Sequence, residues 1–499
     1  MTEFAYSTDH PARARAEILV LPVFEGPEAG PGVRDVKGID LLALYAGAKL
    51  KGKLGENLLV PNAGLEGLDA SAVLLVGVGE RSKATADTVR RALGRVAPQL
   101  AKRTTVATTL AQAGGRSAEE AVQAAVEGVL LGSYRFDRYK SKKDDAPALE
   151  TVTVLGSARW NSRAAKAAIE RARIVADAEM WARDLVNTPA RDLPPADLAK
   201  AAQDMAKEVG LEVKVWTEKE LEKGGFGGIL GVGQGSANPP RMIELRYRGA
   251  AASQAPIALT GKGVSFDSGG ISIKPAEGMD AMKSDMGGAA SILGTMKAIA
   301  RLKPKVNVIA AIPSAENMPS GSATKPGDVL HHRGGRTSEV VNTDAEGRLI
   351  LADALAYLAE QEPRVIVDTA TLTGACMVAL GDELWGVMGN DRGLIRDLLA
   401  AGDATGERGW ELPLHRPYRK LIDSDVADIK NMGKRHGGAI TAGWFLAEFV
   451  GDTPWAHMDI AGPAFLDKAG DYSPKGATGV PVRALVHYVL GQAKKPSRA

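Results

Sequence analysis

Two hydrophobic periods alternate along this chain. Short apolar runs of strand length occur at Glu17–Phe24, Ala72–Val78, Thr104–Leu110 and Thr151–Leu155. Between them, helix-period patterns cover Thr85–Ala97 and Ala118–Leu131. Ser117, with Glu120 three residues on, supplies a capping-box start for the second. A longer helical pattern rich in Ala, Arg and Glu runs over Ser162–Val186 and stops at Asn187-Thr188-Pro189, with Pro194-Pro195 beyond it. Proline lacks the N–H and clashes with the preceding turn, so the helix cannot continue. We read it as a connector between two domains, the alternative being one more surface helix of a single domain.

Past the prolines, buried-strand runs appear at Leu211–Trp216, Met242–Tyr247, Ile257–Thr260, Val306–Ile312, Val365–Thr369 and Trp455–Ile460. Helical patterns cover Gly288–Leu302 and Leu349–Glu360. Strands alternating with helices predict α/β layers around largely parallel sheets. The expected architecture is α/β with two domains: an N-terminal one over residues 1–160, a connecting helix over 161–187, and a second domain with a mostly parallel central sheet over 188–499. In such sheets ligands gather at the carboxyl ends of the strands.

Composition narrows the function. The length of 499 residues allows roughly two to four domains. Sixty-two Lys and Arg against 60 Asp and Glu give a net charge of +2, too balanced for a dedicated nucleic-acid or polybasic membrane binder. Cys376 is the only cysteine, so neither an internal disulfide nor a Cys-based zinc finger can form. Residues 1–22 carry interspersed charges and no continuous apolar core of a signal peptide, and no apolar stretch reaches a bilayer span. The expectation is a soluble, reduced, cytoplasmic protein.

Several motifs resemble sites without completing them. Gly77-Val78-Gly79-Glu80-Arg81-Ser82 nearly matches a dinucleotide fingerprint, but Ser82 replaces the third glycine and the strand Thr104–Leu110 ends without an acidic residue. Gly231-Val232-Gly233-Gln234-Gly235 is incomplete in the same way and runs into Asn238-Pro239-Pro240, which is loop chemistry. Gly261-Lys262-Gly263 lacks the remaining parts of a P-loop. Tyr134-Arg135-Phe136-Asp137-Arg138-Tyr139-Lys140, followed by a charged loop through Asp145, interleaves rings and cations. It reads either as a helix end whose rings pack inward or as a nucleic-acid face over Arg135–Lys143. The histidines show no paired ligand spacing, and Cys376 in its apolar context reads as core packing.

Chemistry concentrates in three glycine-punctuated segments. Thr260–Gly270 runs from a buried strand into a turn carrying Lys262 and Asp267, with Lys274 close behind. Met282–Gly288 places Asp285 just before a helix, and Val341–Leu349 places Asp344 and Glu346 at the start of another. Four carboxylates packed together repel or take up protons unless cations resolve them, and oxygen ligands suit Mg²⁺, Mn²⁺ or Zn²⁺. Two ions sharing a bridging carboxylate serve both aminopeptidases and phosphoryl-transfer enzymes. Taken singly, Asp285 and Glu346 also read as acids placed at helix starts.

Thr260–Gly270 with Lys274, and Asn342-Thr343-Asp344-Ala345-Glu346-Gly347-Arg348-Leu349, resemble the signatures of the leucyl aminopeptidase (cytosol aminopeptidase) family. The resemblance extends through Arg183–Pro189, Asp368–Ala375, Ser424–Asp428, Gly437–Ala442 and His457–Pro463, covering nearly all of residues 180–490. It implies a two-metal exopeptidase that releases N-terminal, leucine-like residues from peptides. By the resemblance, Lys262, Asp267, Asp285, Asp344 and Glu346 are metal ligands, with Asp267 and Glu346 bridging the ions. Lys274 and Arg348 match catalytic positions, and Thr371 and Leu372 match substrate contacts. It further implies Mn²⁺, Zn²⁺ or Mg²⁺ as the metal, a bicarbonate near Arg348 as general base, a homohexamer, and a macro-like N-terminal domain. The segment His331-His332-Arg333-Gly334-Gly335 is less typical of the family. A two-metal phosphatase or nuclease is the competing enzyme reading, and nucleic-acid binding through Arg135–Lys143 a secondary role.

Overall fold

The computed structural model describes residues 2–115, 117–142 and 148–494. The chain forms two compact units, Met1–Asp177 with Asp467–Lys475, and Ala178–Leu466 with Gly476–Ala499.

The first unit is built on a seven-stranded sheet. Its order is Glu3–Ser7, Thr151–Leu155, Thr105–Thr108, Ile18–Phe24, Ala72–Gly77 and Asn57–Pro61, with Glu28–Ala29 paired beside Ile18–Phe24. Pairing is parallel except at Asn57–Pro61 and Glu28–Ala29. Every residue of Ile18–Phe24 is buried, which is what a strand covered on both faces requires. Its side chains alternate: Ile18 and Val20 join Val89, Leu93 and Val122 in one core, and Leu19, Leu21 and Val23 join Leu41, Tyr45 and Leu75 in the other. Helices Ala86–Leu100 and Ala118–Gly132 supply the first core. Ser117 Oγ accepts from the Glu120 N–H at 3.2 Å, the expected start of the second. Arg91 and Arg95 both pair with Asp471, tying in a segment far away in sequence.

The near-fingerprint at Gly77–Ser82 is a strand end followed by the short turn Arg81–Lys83, and Gly231 and Gly233 lie inside the helix Gly227–Gly233. In the ring-and-cation segment, Tyr134 is buried but Tyr139 is half exposed, so the rings do not all turn inward. Lys143 to Asp145 of the charged loop lie outside the described residues. The long helix forms over Ser162–Asn187. The prolines beyond it stop one helix and start another: Pro195 opens Pro195–Val209, where a missing N–H in the first turn costs nothing.

The second unit carries a nine-stranded sheet. Its order is Gly409–Glu411, Trp385–Gly389, Trp455–Asp459, Val365–Ala370, Ile257–Gly261, Asn307–Asn317, Arg241–Arg248 and Glu212–Trp216. Gly263–Asp267 pairs with the far end of Asn307–Asn317. The four central strands are mutually parallel, and antiparallel pairs flank them on both sides. One face packs against Gly347–Ala359 and Gly438–Ala447 through Ile309, Ala311, Leu351, Leu355, Phe445 and Trp455. The helix Gly287–Leu302 is buried from Gly287 to Ala300. Its start lies so close to the strand tips that a Cβ on Gly288 would sit 2.2 Å from the Thr369 carbonyl oxygen. No helix among the described residues is long and apolar enough to cross a membrane.

Candidate active site

The carboxyl ends of the central strands converge on one place. Lys262 follows Ile257–Gly261 directly, Asp267 closes Gly263–Asp267, Asn317 closes Asn307–Asn317, and Thr371 and Leu372 follow Val365–Ala370. Two helix starts meet them there: Asp285 precedes Gly287–Leu302, and Glu346 sits at the N-cap of Gly347–Ala359. The sheet thus gathers residues that span more than a hundred positions, as expected at the tips of parallel strands.

The charges interlock in two pairs. Lys262 Nζ lies 2.6 Å from Asp285 Oδ2 and 2.7 Å from Glu346 Oε1. Lys274 Nζ lies 2.8 Å from Asp267 Oδ2 and 2.5 Å from Asp344 Oδ1. Each ammonium is held between two carboxylates, so four acids surround two compact cations. Carboxylate oxygens of Asp267, Asp344 and Glu346 lie within 4.8 Å of one another. Gly347 is required by this packing, because a Cβ there would meet Lys262 Cε at 2.6 Å and Nζ at 2.8 Å.

Main-chain and side-chain donors orient the acids. Asp267 Oδ1 accepts from the Gly269 N–H at 2.9 Å and from Asn317 Nδ2 at 2.8 Å. Asn317 Nδ2 also donates to the Thr343 carbonyl at 3.0 Å, linking Asp267 to the loop that carries Asp344. Thr371 Oγ1 donates to Asp285 Oδ1 at 2.6 Å, and its carbonyl accepts from Lys262 Nζ at 3.2 Å. The Leu372 N–H donates to Asp459 Oδ1 at 3.2 Å. Arg348, 6% exposed, donates from Nη1 to the Asn431 carbonyl at 2.8 Å, while its Nε has no partner.

Electrostatics follow from this crowding. Burial, then repulsion from Asp267, lifts Glu346 well above the usual carboxylate range. Burial raises Asp285 and Asp344 as well. For Lys262, burial favours the neutral amine, but Asp285, Glu346 and Asp267 together outweigh it and hold the ammonium charged. Lys274 is raised by the same contest, burial against Asp267 and Asp344. Burial lowers Arg348 to about 10, which leaves it cationic at neutral pH.

The donor set fits divalent metal ions. Asp285 Oδ2, Asp344 Oδ1 and both oxygens of Glu346 are buried without a directed hydrogen bond, although lysine charges stand close to three of them. Buried carboxylate oxygens that converge on compact positive charge are what hard or borderline cations require.

Two other clusters resemble catalytic machinery. His332 Nε2 lies 2.7 Å from Ser338 Oγ and Nδ1 lies 3.2 Å from Asp353 Oδ1, the connectivity of a nucleophile–base–acid triad. All three are buried, the ring packs 5.0 Å from that of Phe449, and Asp353 also accepts from the Ile229 and Arg333 N–H groups. No substrate reaches Ser338, so the cluster is a tie between a hairpin and the helix Gly347–Ala359. His332→Ala should therefore destabilise the fold by roughly 1–3 kcal/mol, read from the denaturant midpoint. An unchanged midpoint would remove the tie from the account. The second cluster joins His457 Nδ1 to Asp368 Oδ1 at 2.5 Å, and Trp455 Nε1 to Asp368 Oδ2 at 2.6 Å, inside the sheet. Cys376 is buried against Met388 and Ala439, as its context suggested.

All nine residues expected at the site lie around these strand tips and helix starts. Sequence reasoning missed Asn317, Asn431 and Asp459. Asp459 stands inside a segment quoted for the family resemblance, and Asn431 lies three residues beyond another, but their bonds are visible only in the fold.

Similarity to known proteins covers both units of the chain. The model of the cytosol aminopeptidase family catalytic domain matches residues 180–486, and the model of its N-terminal domain matches residues 20–143. A probable cytosol aminopeptidase of Geobacter sp. (strain M21) is 46% identical over 489 residues, 97% of this chain and 98% of that protein. One from Corynebacterium diphtheriae is 45% identical over 489 residues, covering 96% and 95%. Among solved structures, the bottromycin maturation enzyme BotP in complex with Mn is 35% identical with a TM-score of 0.85, covering 96% of this chain and 100% of that one. A tomato leucine aminopeptidase mutant is 32% identical with a TM-score of 0.87, covering 98% and 97%. With both family models matched in order, and with relatives this similar along almost their whole length, the chain belongs to the cytosol aminopeptidase family.

Proposed function

We propose that this chain is a two-metal aminopeptidase that removes leucine-like N-terminal residues from peptides. The carrying observation is the pair of lysine ammoniums, each pinned between two carboxylates at the strand tips, beside the buried Oε2 of Glu346, which has no hydrogen-bond partner. Asp267, Asp344 and Glu346 would hold one ion. Lys262 and Asp285 would hold the other, with Asp267 and Glu346 shared. Bound divalent ions supply a water acidified to near neutrality and polarise the scissile carbonyl.

The chain's own residues do the rest. Lys262 must surrender its proton to act as a ligand, since an ammonium has no lone pair. Lys274 stays cationic and faces the carbonyl oxygen as charge develops on it. Arg348, buried in the first turn of a helix, is the residue to hold the bicarbonate expected as general base, where backbone N–H groups and the dipole favour an anion. Thr371 and Leu372 border the substrate, and Asp285 lies where a free α-amino group is received. On this reading the protein acts on intracellular peptides as a homohexamer, and Mn²⁺, Zn²⁺ and Mg²⁺ are all candidate metals.

The test is hydrolysis of leucine amide by metal-stripped protein, with each metal added back. Activity should return with at least one ion, and an N-acetylated leucyl peptide should be a very poor substrate. Efficient cleavage of the blocked peptide, or cuts at internal bonds, would overturn the exopeptidase reading. Phosphoester hydrolysis without amide hydrolysis would favour the phosphatase alternative.

A further inference from the structure

Asn431 lies outside the acidic cluster, yet its side-chain amide and its carbonyl are all committed to the cluster's supports. It is fully buried and follows the short strand Ile429–Lys430, which pairs with Thr337–Glu339 in a small three-stranded sheet beside the main one. Its side-chain oxygen accepts from the Val341 N–H at 2.9 Å and the Asn342 N–H at 3.4 Å. Its side-chain nitrogen donates to the Asn342 carbonyl at 2.7 Å and the Ala345 carbonyl at 3.3 Å. Its own N–H donates to the Glu339 carbonyl at 2.9 Å, and its carbonyl accepts from Arg348 Nη1 at 2.8 Å.

A primary amide offers two acceptor sites and two donor hydrogens, and here all four are used on one short loop. The orientation is unique. Turning the amide over would set its NH₂ against two N–H groups and its oxygen against two carbonyls. No other side chain of this size provides both sets, because Asp lacks the donors and Leu lacks both.

We propose that Asn431 is a positioning residue that sets the spacing between the acidic loop and Arg348. Its side chain fixes the Val341–Ala345 backbone, which carries Asp344 and leads directly into Glu346, and its main-chain carbonyl fixes the guanidinium. One residue thereby references two parts of the site to a sheet that carries neither. The acids arrive already ordered, so metal binding does not have to arrange the loop. The inference rests on the aminopeptidase reading.

The experiment compares Asn431→Ala and Asn431→Asp with the parent chain. The readouts are Mn²⁺ affinity by calorimetry, kcat and KM on leucine amide, and hydrogen exchange of the metal-free protein over residues 338–346. The carboxylate of Asn431→Asp keeps the acceptors but faces the Asn342 and Ala345 carbonyls without a donor. Both variants should weaken Mn²⁺ binding about 10–100-fold and lower kcat more than they raise KM. A merely structural residue would lower the melting temperature while leaving Mn²⁺ affinity and kcat of the folded protein within about twofold, and that result overturns the proposal. The parent chain tests it even where neither variant folds. Its Val341 and Asn342 amides should exchange slowly without metal, and exchange as fast as an open loop defeats the claim. A parent chain that binds Mn²⁺ but does not hydrolyse leucine amide would count against the aminopeptidase reading, and the exchange and calorimetry results would still judge Asn431.

Discussion

Glu346→Ala should abolish leucine amide hydrolysis and reduce bound metal below that of the parent chain. Glu346 is 1% exposed, both of its oxygens lack a directed hydrogen bond, and burial and Asp267 together oppose its ionisation. The Lys262 ammonium at 2.7 Å offsets part of that cost, and removing the carboxylate leaves this buried cation with Asp285 as its one close acid. The variant should therefore lose stability as well as function. Without metal it should be less stable than the parent, because a buried ammonium has lost one of its two carboxylates. With metal it should lose the stabilisation that binding confers, about 2.7 kcal/mol at an ion concentration 100 times the dissociation constant. Calorimetric metal titration and melting temperatures with and without Mn²⁺ read the two halves separately. Two ions retained with full turnover would show that Glu346 does not bridge them.

Lys274→Ala should keep both metals and lose turnover. Lys274 is not an exposed surface cation: its side chain is 23% exposed and its Nζ touches both Asp267 and Asp344. As a fixed charge facing the developing oxyanion, its loss should lower kcat by about 10²–10³, or roughly 2.7–4 kcal/mol. Arg348→Ala should also slow turnover with metals retained, by removing the buried cation that would hold the base. Metal content by elemental analysis, beside kcat for each variant, separates the outcomes. Unchanged turnover with intact metals would remove these residues from the mechanism, and lost metal would make them supports of the ligands.

The main elements were legible because their patterns are strong. Ile18–Phe24 is apolar throughout and buried on both faces, and the Ser162–Val186 pattern forms over Ser162–Asn187 within one residue of its expected end. Weak patterns hid the rest. Glu3–Ser7 and Asn57–Pro61 are edge strands with mixed exposure, and Pro195 reads as a stop although it opens a helix. The acids of the candidate site and Lys262 were legible as candidates, because they lie at or near strand ends and helix starts with glycines that permit close approach, whereas Lys274 stands seven residues past the strand end at Asp267. The asparagine braces were not. Asn317 and Asn431 are ordinary polar residues in sequence, and their roles exist only through bonds to Asp267, Thr343, Val341 and Asn342.

By itself, then, the sequence determined the α/β class, the family and the acids, lysines and arginine available for chemistry, because period, turn residues and motif are local properties. The tertiary structure decided how those charges are shared. Lys262 goes to Asp285 and Glu346, Lys274 to Asp267 and Asp344, and the loop of Asp344 is held by an asparagine from a separate small sheet. It also decided that His332, Ser338 and Asp353 are sealed in the core, and that Asp471 joins the N-terminal unit despite lying in the last tenth of the chain. These pairings depend on strand order and side-chain burial, which bring together residues that sequence separation keeps apart.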